Sequence, residues 1–203
     1  MAEVELFFDC SSPWTYLAFH GLPAVAAEFG AEIRYVPILV GGVFNAVNPN
    51  VYNSRNAPVP AKQAYSKKDL QDWARFYGLR IKHPPTVFPV NSVKAMRACI
   101  ALEQEGKLVP FATKTFEAYW GDDKDISQVP VLAEIARSVG VDPDALFAAI
   151  DQQAVKDKLR DNTQELMDRG GYGSPTMFVG GDDMFFGNDR LPLLRAALER
   201  RRK

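Results

Sequence analysis

The sequence contains few cysteines and histidines, the residues that hold most structural zinc ions. Its 203 residues include two cysteines, Cys10 and Cys99, and two histidines, His20 and His83. The cysteines are far apart, form no Cys-x-x-Cys pair and have no metal-ligand spacing with the histidines. The sequence therefore predicts no bound metal.

An excess of charge and a long apolar run are also missing. The 24 basic residues nearly cancel the 25 acidic ones, which is not the pattern of a nucleic-acid-binding protein. No apolar segment approaches the length of a membrane span, and Glu3 and Glu5 stand where a signal peptide would have basic and then apolar residues. We expect no nucleic-acid partner, no membrane span and a cytoplasmic location.

What the sequence does have is a strand, a tight turn and a helix at its start. Residues 4–8 are of strand length and apolar apart from Glu5, and Ser11-Ser12-Pro13 supplies a capping hydroxyl and a proline suited to a first helical turn. Backbone N–H groups and the helix dipole at such a junction favour a thiolate, carboxylate or phosphate. A serine hydroxyl there could contact that anion. The simpler interpretation is that one serine only caps the helix.

Periodicity predicts the elements that follow. A helix is expected over residues 14–29, with a kink or break at Pro23, and then a strand over residues 31–36 that completes a parallel β-α-β unit. Residues 45–60, rich in Asn, Pro and Ser, are expected to form a long ordered or lid-like loop. Helical patterns then cover residues 61–77, 92–105, 108–120, 127–139, 142–150 and 152–169.

Strand patterns return near the end of the chain. Residues 173–179 and 184–186 are expected to form an antiparallel hairpin, followed by a last helix over residues 190–200. The order β-α-β, helical insertion, β-β-α is that of the thioredoxin fold. We predict an α/β, thioredoxin-like domain formed by residues 1–42 and 169–203, with an inserted all-helical domain at residues 43–168.

Three motifs occur together in this arrangement. They are the Ser-Pro at the first turn, Ser174-Pro175-Thr176 before the third strand, and Phe186-Gly187-Asn188-Asp189-Arg190-Leu191 before the last helix. With the helical insertion, they make the sequence similar to the 2-hydroxychromene-2-carboxylate isomerases, which are related to kappa-class glutathione transferases and DsbA-like disulfide oxidoreductases. The resemblance extends over nearly the whole chain, through Tyr65, Trp120-Gly121 and Asn162-Thr163 among others.

The resemblance implies a glutathione-dependent isomerase that interconverts 2-hydroxychromene-2-carboxylate and trans-o-hydroxybenzylidenepyruvate in the degradation of naphthalene-type hydrocarbons. In such enzymes a thiolate adds to a conjugated double bond, the bond rotates, and elimination returns the thiol. It also implies a homodimer and a small aromatic acid as substrate. The alternative is a kappa-class-like glutathione transferase or peroxidase, which consumes glutathione; the sequence leaves both open.

The same resemblance assigns the catalytic and cofactor residues. The catalytic serine is the one directly before proline, Ser12, and the doubled serine leaves Ser11 as the alternative. The residues implied to bind glutathione are Ser12, Asn56, Lys62, Ser174, Pro175, Phe186, Gly187, Asn188 and Asp189, with the Ser174-Pro175 bond cis. Phe44 stands where some members have a lysine, so one carboxylate contact of the family lacks its usual residue.

The remaining candidates have simpler alternatives. Trp14 is expected to line the substrate pocket, and Asn91 and Ser92 either contact the substrate or cap the helix that follows them. Cys10 lies near the turn where oxidoreductases of this fold keep a reactive pair, but no second cysteine is near it in sequence, which favours packing. A serine hydrolase is set aside because the sequence has no Gly-x-Ser-x-Gly motif and no histidine placed to act as the base.

Overall fold

A computed structural model describes residues 3–202; the first two residues and the last, which belong to the predicted thioredoxin-like part, lie outside this range. The strands β1 to β4 are Glu3–Phe8, Glu32–Pro37, Thr176–Val179 and Asp183–Phe186. The helices α1 to α10 are Pro13–Phe29, Val40–Val47, Asn50–Asn56, Pro60–Tyr77, Val93–Ala101, Leu108–Phe116, Val129–Ser138, Pro143–Ile150, Gln153–Asp168 and Leu191–Arg201. A π-helical turn, Glu117–Gly121, continues α6, and a 3₁₀ turn, Asn188–Arg190, leads into α10.

The four strands form one sheet in the order β2-β1-β3-β4. β1 pairs parallel with β2 and antiparallel with β3, and β3 pairs antiparallel with β4, so the predicted thioredoxin-like arrangement is confirmed. Because β1 and β3 are antiparallel, the end of β1 lies beside the start of β3, where Phe7 is opposite Thr176. This pairing brings the first turn next to the segment that precedes β3.

One hydrophobic core is shared by the sheet and the inserted helices. Leu6 and Phe8 of β1 pack in the same cluster as Phe116 and Trp120, all fully buried. Phe7 points to the other face of the sheet, where a smaller cluster includes Phe178. With both faces covered at its carboxyl end, β1 finishes in the continuous apolar run Leu6-Phe7-Phe8, whereas its start alternates between glutamate and apolar residues. The domain boundaries at residues 43 and 168 stay a prediction.

Two expectations about the elements were wrong. Residues 45–60 do not form a loop: they hold the end of α2, all of α3 and the start of α4. No residue of α3 is buried, so the segment has the polar composition of a loop although it is helical. Helix α1 also runs through Pro23 without the expected break, while the alternative of a kink stays a prediction. Its neighbours Leu22 and Ala26 are buried, and their packing offsets the hydrogen bond that proline lacks.

Two smaller differences concern the inserted helices. α5 ends at Ala101, before the predicted 105, and the predicted helix over residues 108–120 changes to a π-helical turn after Phe116. None of the helices in residues 3–202 is both long enough and apolar enough to cross a membrane.

Candidate active site

The turn between β1 and α1, residues 9–12, holds the predicted catalytic serine. Ser12 is the N-cap of α1, and its Oγ accepts the backbone N–H of Thr15 at 3.2 Å. The same hydroxyl donates to the carbonyl oxygen of Ser174 at 3.1 Å. Because the capping bond uses a lone pair, the hydroxyl proton is directed away from the helix. Ser12 therefore caps α1 and still has a proton to donate across the site.

Ser11 has a different task. Its backbone N–H donates to Asp9 Oδ1 at 2.9 Å, and its side chain also hydrogen-bonds to that carboxyl group. Ser11 is half-buried, and its contacts hold the turn together. The geometry supports Ser12 over Ser11 as the residue whose hydroxyl faces a ligand.

The segment before β3 is tied to this turn through a buried hydroxyl. The Oγ atoms of Ser174 and Thr15 are 2.8 Å apart, and Ser174 Oγ also accepts the backbone N–H of Asp9 at 3.2 Å. The Ser174–Pro175 peptide bond is cis. In residues 3–202 the backbone N–H of Ser174 has no hydrogen-bond acceptor. It is therefore available to an extended ligand that pairs with this segment.

Asp9 is a site residue that the sequence analysis missed. Its side chain is almost fully buried and accepts hydrogen bonds from the backbone N–H groups of Ser11 and Val40, each at 2.9 Å, and from the side chain of Ser92. Burial raises the pKa of the Asp9 carboxyl, and these hydrogen bonds only partly oppose it. Asp9 joins the turn to the starts of α2 and α5. The one signal in the sequence is an acidic residue directly after an apolar strand.

The structure gives different contacts to Asn91 and Ser92, the two polar candidates before α5. The side-chain oxygen of Asn91 accepts the backbone N–H of Val93 at 3.0 Å, and Asn91 is exposed. This matches the capping alternative. Ser92 is buried and contacts Asp9 instead, so it reaches the turn through that carboxyl group.

The two cysteines lie against each other. Both are fully buried in the same core cluster, and their thiols are close enough to influence each other, a proximity that could not be read from the sequence. Burial, and next the contact with Cys99, raise the pKa of the Cys10 thiol well above its ordinary value. A thiol in this state supplies little thiolate for disulfide exchange. The geometry favours packing for both cysteines.

The turn before α10 contains an unpartnered donor. Asn188 is 3% exposed, and its Nδ2 atom has no acceptor in residues 3–202. Gly187 adopts φ 103° and ψ 153°, a conformation confined almost entirely to glycine, and its N–H donates to Pro175 at 3.1 Å. Asp189 is exposed and pairs with Arg190. A buried amide without a partner is the kind of group that a bound ligand satisfies.

Three predicted residues are not brought to the turn by a described contact. Asn56 ends α3 and Lys62 lies in the first turn of α4; both are exposed, and neither side chain makes a hydrogen bond or ion pair within residues 3–202. Trp14, in the first turn of α1, packs against the main core. Also within the described residues, no three His, Cys, Asp or Glu side chains form a group that could hold a metal ion.

An aromatic wall flanks the turn, and the sequence analysis did not predict it. We define the wall as Phe44, Tyr52, His83, Phe88 and Trp120. Trp120 donates its indole N–H to the backbone oxygen of Cys10 at 2.9 Å, which fixes the wall to the turn. His83 stacks on Trp120 at 6.2 Å, and Phe88 contacts both rings. The residues come from four separate segments, so no sequence pattern joins them.

His83 gives the wall a neutral imidazole. Burial lowers the pKa of His83, and the positive charge of Lys67 lowers it further. The ring therefore presents a flat, uncharged face at neutral pH, as the phenyl rings beside it do. Phe186 packs against Tyr172, with ring centroids 4.5 Å apart, and its ring lies against Gly173, as the ring of Phe44 does.

Comparisons with known proteins agree with this geometry. Residues 3–199 match the DSBA-like thioredoxin domain family. The chain is 34% identical over 202 residues to a 2-hydroxychromene-2-carboxylate isomerase of Pseudomonas putida, covering 97% of this chain and 94% of that protein. It is 27% identical over 202 residues to a glutathione S-transferase kappa 2 of Caenorhabditis elegans, covering 93% and 88%. A solved structure of a 2-hydroxychromene-2-carboxylate isomerase matches with a TM-score of 0.82 at 29% identity, covering 98% of this chain and 95% of that one.

Proposed function

The chain belongs to the 2-hydroxychromene-2-carboxylate isomerase family of DsbA-like thioredoxin proteins, and from this premise we propose that it is a glutathione-dependent isomerase of 2-hydroxychromene-2-carboxylate and trans-o-hydroxybenzylidenepyruvate. The observation that carries the proposal is the Ser12 hydroxyl. It is fixed by the cap of α1 and directed at Ser174, beside an unused backbone N–H. This is the arrangement needed to hold a thiol between a hydroxyl donor and an extended backbone.

The Ser12 hydroxyl and the start of α1 favour the ionised form of a thiol. A free thiol has a pKa of about 8.5, so only a small share is ionised at neutral pH. One hydrogen bond to a charged acceptor contributes roughly 1.5 to 3 kcal/mol, enough to lower that pKa by about one to two units. The positive end of a helix adds roughly 0.3 to 1 kcal/mol in the same direction. Ser12 does not need an imidazole base for this task.

The residues that would hold glutathione are suited to its ends and its backbone. The Ser174 N–H would pair with the cysteinyl carbonyl, and the buried Asn188 amide would donate to the γ-glutamyl carboxylate, with Gly187 and Asp189 in the same turn. Phe186 and Pro175 border these groups, and Asn56 and Lys62 lie on the exposed segment proposed to cover the tripeptide. Glutathione, when bound, supplies a thiolate that adds reversibly to the conjugated double bond and so permits its rotation.

An assay of isomer interconversion tests the proposal. The absorbance of the two isomers is followed with and without glutathione, and free thiol is measured before and after turnover. We expect turnover only with glutathione present, and all of the thiol recovered. Undiminished turnover without glutathione would overturn the mechanism.

The alternative is a kappa-class-like transferase or peroxidase. The relatives named glutathione S-transferase kappa, at 26–27% identity, favour considering it. A transferase would consume one thiol for each aromatic substrate molecule converted, whereas the isomerase returns it. Loss of thiol in step with product, together with no chromene isomerisation, would move the protein to that class.

The cellular context remains a prediction. Catabolism of naphthalene-type hydrocarbons and a homodimer follow from the family resemblance alone, and the cytoplasmic location expected from the sequence also stays a prediction. Sedimentation of the purified protein gives the oligomeric state directly.

A further inference from the structure

Three arginines in residues 3–202 lie over aromatic rings. Two of them also bind a carboxylate of this chain: Arg169 pairs with Glu5, and Arg195 pairs with Glu28. In both places an aromatic face supports the guanidinium while an acidic side chain neutralises it. A guanidinium that lies flat on a ring keeps the N–H groups at its edge free to donate to a carboxylate. An arginine can therefore contact a ring and a carboxylate at the same time.

The third arginine, Arg55, lies over aromatic rings but pairs with no carboxylate in residues 3–202. Its guanidinium carbon lies 5.8 Å from the ring centroid of Phe44, 5.9 Å from that of Tyr52 and 5.5 Å from that of Phe88. In residues 3–202 it makes no ion pair and no hydrogen bond through its side chain, and it is exposed. Its five donors are therefore open to an external acceptor.

Phe44 connects Arg55 to one side of the β1–α1 turn. A Cβ atom at Gly173 would lie 3.6 Å from the Phe44 ring, so this ring covers the residue directly before Ser174. The backbone carbonyl oxygen of Ser174 in turn accepts a hydrogen bond from the Ser12 hydroxyl. The guanidinium thus lies over a ring that borders the thiol-binding segment.

Phe88 connects Arg55 to the other side of the same turn. The ring centroids of Phe88 and Trp120 are 6.5 Å apart, and Trp120 donates to the backbone oxygen of Cys10. Two independent series of contacts therefore link Arg55 to the residues on either side of the reactive hydroxyl. Between them lies the part of the aromatic wall that is not fully buried, which is suited to a flat apolar ring: Phe44, Tyr52, His83 and Phe88. Trp120 is fully buried and supports these rings from the core.

We propose that Arg55 binds a ligand carboxylate, and that the aromatic wall receives the planar group next to that carboxylate. The inference rests on the proposed function, because a small aromatic acid supplies both features in one molecule. The glycyl carboxylate of glutathione has the same chemistry and is the second possible source. Arg55 acts by binding and orientation, and takes no part in bond making.

Calorimetric titration with trans-cinnamate and with its uncharged amide tests the proposal without turnover. The wild-type protein should bind the acid more tightly than the amide. Arg55→Gln should weaken cinnamate binding by roughly 10- to 100-fold, the value of one charge-assisted hydrogen bond, and leave amide binding unchanged. Arg195→Gln is the matched control, because it removes an exposed arginine from an aromatic ring on another face and should change neither affinity.

A second titration, with glutathione and its glycyl amide, identifies the source of the carboxylate. If Arg55→Gln changes only cinnamate binding, the substrate acid is the ligand. If it removes the preference for glutathione over its glycyl amide, the tripeptide is the ligand. If Arg55→Gln changes neither preference, or the wild-type protein shows neither, the proposal is overturned.

The carboxylate site and the proposed isomerase activity can be contradicted separately. A wild-type protein that is inactive on the chromene but binds cinnamate through Arg55 would contradict the isomerase and keep the carboxylate site. An active wild-type protein whose Arg55→Gln variant binds both acids unchanged would contradict the carboxylate site and keep the isomerase.

Discussion

Ser12 combines two tasks, since its Oγ accepts a capping hydrogen bond and donates a proton towards Ser174. Replacing it affects both stability and turnover. Ser12→Ala should lower kcat/KM by about 100- to 1000-fold, as loss of one preorganised donor does elsewhere. It should also cost about 1 kcal/mol of stability as a lost cap. Isomerisation kinetics and urea unfolding separate the two effects.

Asp142→Ala is the matched control for the cap. Asp142 caps α8 and accepts the backbone N–H of Asp144 at 3.1 Å, away from the site. Its loss should cost a similar free energy of unfolding and leave turnover intact. Ser11→Ala should have a smaller effect on turnover than Ser12→Ala; equal losses would contradict the assignment of the catalytic serine.

Asp9 predicts a pH dependence of stability. An unfolded chain titrates aspartate near pH ~3.9, and burial raises the pKa of Asp9 in the folded protein. Between the two values the folded protein binds more protons, so this contribution to stability is present at low pH and lost as pH rises through the folded pKa. The amide introduced by Asp9→Asn has no ionisable group in this pH range. The difference in free energy of unfolding, wild type minus variant, should therefore fall as pH rises above about 4 and then level off.

Urea unfolding of both proteins at a series of pH values gives this difference. A difference that grows with pH would mean that the Asp9 carboxylate is stabilised rather than destabilised by its surroundings. In that case the hydrogen-bond donors around Asp9 would lower its pKa by more than burial raises it.

At this scale the sequence was informative where residues act within a motif. Ser12 and Ser174 belong to short motifs, and the structure brings their side chains and backbone together. The contact between Cys10 and Cys99 joins residues far apart in the chain, as does the bond from Trp120 to Cys10. Such contacts depend on how helices pack on the sheet, and no local spacing encodes them.

Among the elements, the segment over residues 45–60 shows how exposure hides a helix. α3 buries no side chain, and prolines stand just before it and at the start of α4. A helix is recognised in a sequence by its apolar stripe, and a fully exposed helix has none. Its described links to the site are Tyr52, whose ring packs on Phe44, and Arg55, which lies on the rings of the aromatic wall.

The turn into α10 gives an element-scale prediction. A Cβ atom at Gly187 would lie 2.6 Å from Asp189 Oδ1, and the backbone there is confined to glycine. Gly187→Ala should cost roughly 1 to 3 kcal/mol of stability and weaken glutathione binding, because Asn188 would shift. Gly78→Ala is the control: Gly78 also has positive φ, but its Cβ would meet nothing within 4 Å. Unchanged glutathione affinity in Gly187→Ala would remove this turn from the binding site.

For the whole molecule, the shared core predicts cooperative unfolding. Leu6 of the sheet and Phe116 of the insertion pack in one hydrophobic cluster, so neither part has a separate interior. Tryptophan fluorescence and far-ultraviolet circular dichroism should report the same midpoint in urea. Two separated transitions would indicate that the insertion folds by itself, as the predicted division at residues 43 and 168 allows.

The order of strands explains why this fold can build the site. β1 lies between β2 and β3, so its end meets both the start of α2, through Asp9 and Val40, and the segment before β3, through Ser12 and Ser174. The inserted helices add the aromatic wall on the remaining side. A thiol site and an aromatic surface are thus assembled around one turn.

The most direct test of the account is the ionisation of bound glutathione. The ultraviolet absorbance of the thiolate is titrated against pH for glutathione bound to the wild-type protein and to Ser12→Ala. We predict that the wild-type protein lowers the thiol pKa by about one to two units from ~8.5, and that Ser12→Ala returns most of that shift. A bound thiol that titrates like free glutathione in the wild-type protein would contradict the central claim.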